Sequence, residues 1–96
     1  MLQTIIKAIH DRQILSFNYS GISRKVQPAA VGDSKVGNLV LRCYQVAGGH
    51  VTPGHDWDLC ELSKISGLTA TGEHFSGEPP GYKRGDKGMS TIHAEL

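Results

Sequence analysis

The chain has 96 residues, ten basic against nine acidic side chains, and a formal charge of +1. That length is one domain rather than two. The near-neutral balance excludes a nucleic-acid coat of the histone or basic-tail kind, which needs a large excess of Lys and Arg. At 39% apolar and 20% charged residues the chain can build a core, though a chain this short buries only about two-thirds of its unfolded surface.

The first dozen residues read as a helix, because Leu2, Ile5, Ile6 and Ile9 form one apolar stripe at helical spacing. The period then changes to two. Leu15, Phe17 and Tyr19 share one face of a predicted strand, with Ser16 and Asn18 opposite, and Ser20-Gly21 is a turn signal. Ser23 to Val31 is a second strand, and Pro28 places it at an edge or at a bulge. After a loop at Gly32–Asn38, Leu39 to Ala47 is the strongest strand pattern, apolar on parts of both faces and therefore central. Arg42 is the oddity in it.

Gly48–Gly54 is a glycine-rich loop, followed by a fourth strand at Trp57–Ile65 and a fifth at Leu68–Phe75. Ser76–Gly81 ends regular structure. The last fifteen residues read as a tail or one short docked element around Met89 and Ile92. The expected fold is mainly β: an N-terminal helix, then a small, strongly curved, five-stranded antiparallel barrel over 1–76, with an irregular tail at 77–96.

Several of these pieces, taken together, resemble a known family. They are Ala8-Ile9, Leu15-Ser16-Phe17-Asn18-Tyr19, Arg24-Lys25-Val26-Gln27-Pro28, Leu39–Tyr44, Cys60-Glu61-Leu62-Ser63-Lys64-Ile65 and Gly72-Glu73-His74-Phe75. In this order and spacing they resemble the WYL domain, a small SH3/Sm-like β-barrel of prokaryotic transcription regulators and defence-associated proteins. Of the naming Trp-Tyr-Leu triplet, only Leu41 is kept. The resemblance implies a ligand-binding sensor module for a nucleotide or short single-stranded nucleic acid. The N-terminus, which lacks a basic-then-apolar signal layout, and the two cysteines, too few for a disulfide framework, point to the cytoplasm.

Such a ligand needs cationic groups for phosphate and aromatic faces for the bases. Arg24, Arg42 and Lys64 come from three predicted strands and are the candidate cations; Tyr19, Tyr44 and Trp57 are the candidate stacking faces. Guanidinium grips phosphate with two parallel bonds, so the arginines rank above Lys64. The competing expectation is a protein-interaction or homo-oligomerisation module, docking a second copy or a regulatory protein through a sheet edge. It is motivated by the reduced triplet and by a length that leaves no room for the family's usual helix-turn-helix domain.

Catalysis finds little support. His50, His55 and Asp56, with Cys43 or Cys60 opposite, lack the tight ligand pairs of a zinc site, so neither metal nor cofactor is expected. Cys43 and Cys60 lie in strand-like apolar stretches and read as reduced core thiols. Gly85-Asp86-Lys87-Gly88 lacks the strand–loop–helix setting of a phosphate loop and reads as a turn. No apolar run approaches the ~20 residues of a membrane span. The charge is nonetheless segregated: residues 1–48 hold six basic and two acidic side chains, residues 49–81 one basic and five acidic.

Overall fold

The computed structural model describes residues 1–49 and 56–96. It is mainly β, with one helix, α1 (Leu2–Asp11), and six strands: β1 (Gln13–Tyr19), β2 (Ile22–Ser34), β3 (Leu39–Gly48), β4 (Trp57–Glu61), β5 (Ile65–His74) and β6 (Met89–Glu95). A 3₁₀ turn at Leu62–Lys64 separates β4 from β5. Among the described residues no helix is long and apolar enough to cross a membrane.

The helix buries Ile5, Ala8 and Ile9 on one face, the i, i+3, i+4 stripe of an amphipathic surface helix. It stops at Arg12, which turns into the left-handed region at φ 52° and gives its backbone N–H to the carbonyls of Ala8 and Ile9. The Arg12 carbonyl then accepts from the Phe75 N–H at 2.9 Å, fastening the helix end to the end of β5. β1 and β2 form a hairpin in which Tyr19 faces Ile22. The two loop residues, Ser20 and Gly21, both take positive φ, as the tight hairpin turn that matches strand twist requires.

The antiparallel sheet runs β4-β3-β2-β1-β5, with β6 added on β2, and no pairing between β4 and β5 closes it among the described residues. β2 carries three neighbours. One edge pairs with β3 from Arg24 to Asp33; the other is shared, β1 taking Ile22–Val26 and β6 taking Ala30–Ser34. The change of partner falls at a bulge, because Pro28 faces Cys43 and Ala30 faces Arg42, leaving Ala29 without a counterpart on β3. The freed Ala29 carbonyl accepts from the Leu96 N–H at 2.9 Å.

Among the described residues the sheet has six strands rather than the expected five, and the C-terminal segment, expected as an irregular tail or one short docked element, contains β6 and sends Ala94 and Leu96 into the core. The sixth strand has no local sequence signature, because register shifts on either side of Gly32 and Asp33 break its alternation. Its buried positions are Met89 and Ala94, which no period-two template connects. The predicted strand Trp57–Ile65 is likewise two elements, broken where Leu62 turns into the core.

The main core lies between α1 and the sheet, with Phe17, Ile5, Ile9, Leu15, Leu41 and Val26 its largest fully buried side chains. Each contributes on the order of 1.5–3 kcal/mol by leaving water. A second, smaller cluster of Ala30, Val40 and Met89 lies on the opposite side of the sheet. The two sides separate the charged residues of interest.

Candidate ligand cleft

Arg24 alternates with Val26 along β2 and so points to the main core side. Its side chain is only 5% exposed and meets Asp58 of β4, Nη1 to Oδ2, at 3.0 Å. The guanidinium also lies 5.3 Å from the centre of the Tyr19 ring, a cation–π contact. Its Nε–H finds no acceptor among the described residues. Tyr19 uses its hydroxyl to accept the Glu61 N–H at 3.1 Å. These residues form a polar plug in the core wall.

Arg42 faces the other side. It is opposite Ala30 in register and alternates with the buried Leu41 and Cys43. Asp86, in the loop between β5 and β6, grips it with both oxygens, Nε to Oδ2 at 2.7 Å and Nη2 to Oδ1 at 3.2 Å. Oδ1 also accepts the Gly88 N–H at 2.8 Å. The Arg42 bond holds the Asp86 carboxyl below the ordinary carboxylate value, helped by the Gly88 N–H and opposed by burial.

Tyr44 and Trp57 share this outer side. They are register partners on β3 and β4, and their rings meet edge to face at 5.3 Å. The Trp57 indole N–H donates to the Pro80 carbonyl at 2.8 Å, which ties down the start of the loop that Asp86 ties further along. Between the two ties the loop and the sheet enclose a cleft of about 430 Å³ lined by Arg42, Trp57 and the segment 81–88.

Its lining holds four cations, Arg42, Lys83, Arg84 and Lys87, and one carboxylate, Asp86. Arg84 pairs with Glu95 at 3.0 Å. Lys83 and Lys87 are exposed and have no ion-pair partner among the described residues. A second hollow, about 470 Å³ between Met1, Leu2, Leu39 and Leu62, has no charged side chain in its lining.

Of the six residues singled out in the sequence, Arg42 and Trp57 line the cleft, with Tyr44 edge to face against Trp57. The three candidate cations do not converge. Arg24 is committed to the core side with Tyr19, because strand alternation and the Ala29 bulge put it across the sheet from Arg42. Lys64 sits on the 3₁₀ turn, 65% exposed, beside Glu61 at 3.5 Å. Lys83, Lys87 and Asp86 were missed as site residues. The available signal was the run of basic residues among glycines at 81–88, and only docking of the loop on β3 and β4 gives it meaning.

Cys43 and Cys60 are both free and buried. A hydrogen bond with Cys60, then burial, pushes the Cys43 thiol well up. Asp58 is engaged with Arg24, and His50 and His55 of the zinc hypothesis lie outside the described residues. Compared with family models, curated proteins and solved structures, the chain matches none of them.

Proposed function

We propose that the protein is a non-catalytic ligand-binding module, and that its cleft takes the phosphate of a nucleotide or of a short single-stranded nucleic acid. One observation carries the reading: Arg42, Lys83 and Lys87 line a cleft that has Trp57 in its wall. Ammonium and guanidinium groups supply phosphate affinity, and the indole face supplies stacking for a base. The resemblance to WYL sensor domains of transcription regulators supports the same reading. The bent β2 is the kind of strand from which an SH3/Sm-like barrel is built, and a nucleotide sensor would work in the cytoplasm.

Trp57 is the single tryptophan, so its fluorescence reports directly on the cleft. Titration with a nucleoside diphosphate and with a short oligothymidylate should give saturable changes that weaken as salt is raised. The double variant Lys83→Ala/Lys87→Ala should weaken binding about tenfold or more, each lost phosphate contact being worth on the order of 1 kcal/mol. A titration without saturation, or one unchanged in the double variant, sinks the reading.

A second reading, assembly with another copy or a regulatory protein, is favoured by β5. That strand is largely exposed and pairs only with β1 among the described residues, leaving an edge to which another strand can add. Light scattering at rising concentration decides it: a constant monomer mass counts against a homo-oligomer.

A further inference from the structure

In the cleft, the Arg42 guanidinium is engaged by a carboxylate of the chain itself, Asp86. The Arg42 guanidinium edge and the Gly88 N–H converge on the two oxygens of Asp86. A planar fork plus a backbone N–H is also the donor set that holds a phosphate oxygen pair. Lys83 and Lys87 line the same cleft without ion-pair partners among the described residues.

We propose that Asp86 is an internal counter-anion, occupying the phosphate position of the cleft, and that a diphosphate group binds by displacing it from Arg42. The inference rests on reading the cleft as a phosphate site and adds how that site is regulated. Asp86 sits between Gly85, at φ +73°, and the Lys87-Gly88 turn. Such a segment rearranges without moving a strand. A carboxylate brings one negative charge to Arg42, whereas a diphosphate brings more than one and also engages the two lysines. Exchange therefore favours the ligand, at an affinity lowered by the fraction of time that Asp86 holds the position. The loop then reports occupancy: with ligand bound, the tie from Asp86 to the sheet is open while the tie from Trp57 to Pro80 persists.

The test titrates inorganic pyrophosphate and a nucleoside diphosphate into the wild-type protein, Asp86→Asn and Glu73→Gln, following Trp57 fluorescence. Glu73 pairs with Lys25 on β5, so its substitution removes one negative charge away from the cleft. Pyrophosphate should bind Asp86→Asn about tenfold more tightly than wild type, within the usual range of coupling between two sites, with Glu73→Gln unchanged. In the wild-type protein, saturating pyrophosphate should shift the Arg42 Nε–H and Gly88 amide resonances together. Wild-type binding with no gain in Asp86→Asn, or an equal gain in Glu73→Gln, overturns this inference and leaves the cleft reading standing. So does saturation that moves neither resonance, a result that holds even if the variant fails to fold. No binding of either compound to any of the proteins overturns both.

Discussion

Arg24 and Arg42 stand on opposite sides of one sheet, and each guanidinium is held by its own carboxylate, Asp58 for the first and Asp86 for the second. The first pair is structural, and its two halves are not equivalent. The Arg24 side chain is 5% exposed and that of Asp58 is 27% exposed. Asp58→Ala strands a buried cation and should cost about 3–5 kcal/mol. Arg24→Met leaves a carboxylate that water can reach, and should cost about half as much. Urea denaturation of the two variants checks the order. Nucleotide binding by Arg24→Met should match wild type.

The second pair gives the stability a defined acid limit. The folded-state value of Asp86 lies below its unfolded value, so its contribution is fully present above the unfolded pKa, about 3.9. It is lost as pH falls below that, through the lower folded value. Above pH 5, Asp86→Asn should be less stable than wild type by about 1.5–3 kcal/mol, the range for hydrogen bonds to charged groups. The difference should shrink once the pH drops below 4. A gap between the two proteins that is constant from pH 7 to pH 2 contradicts it.

Docking of β6 depends on the missing side chain at Gly32. A Cβ there would run into the Thr91 carbonyl and crowd the Ile92 backbone. Gly32→Ala should cost about 3 kcal/mol and expose the amides of Thr91–Ala94 to hydrogen exchange before those of β3. Gly37 is the contrast. It has open space around it but a φ of +89°, so Gly37→Ala should cost only about 1 kcal/mol and leave β6 protected.

The thiols give a measure of global opening. Cys43 and Cys60 are each 1% exposed, and the Cys43 thiolate is further disfavoured by its neighbour and by burial. An aromatic disulfide reagent should label both cysteines only at the rate of unfolding. Labelling at the rate of a free thiol in native buffer contradicts this.

Much of the fold was legible where periodicity is local. The apolar stripe of α1, the alternation of Leu15, Phe17 and Tyr19, and the Ser20-Gly21 turn each appear in the structure at the expected residues. Legibility failed at bulges and at short breaks. Leu62 and Ile65 are both buried three residues apart, a spacing that continues a strand reading poorly and suits the 3₁₀ turn found there. In the site, Arg42 stands out in the sequence because a charge within an apolar strand must find a partner. That the partner is Asp86, 44 positions away, is decided by how a glycine-rich loop docks. No local pattern encodes that.

The two neighbours along one edge of β2 also impose an order on synthesis. β1 precedes β2 and β3 follows directly, so those pairings can form as the chain emerges. The edge at Ala30–Ser34 waits for β6, more than fifty residues later. Until then Ala30, Val31 and their neighbours offer unpaired backbone on an apolar strand to any other nascent chain nearby. A stretch open to intermolecular misassembly during translation is therefore one whose two backbone edges are both paired in the finished protein.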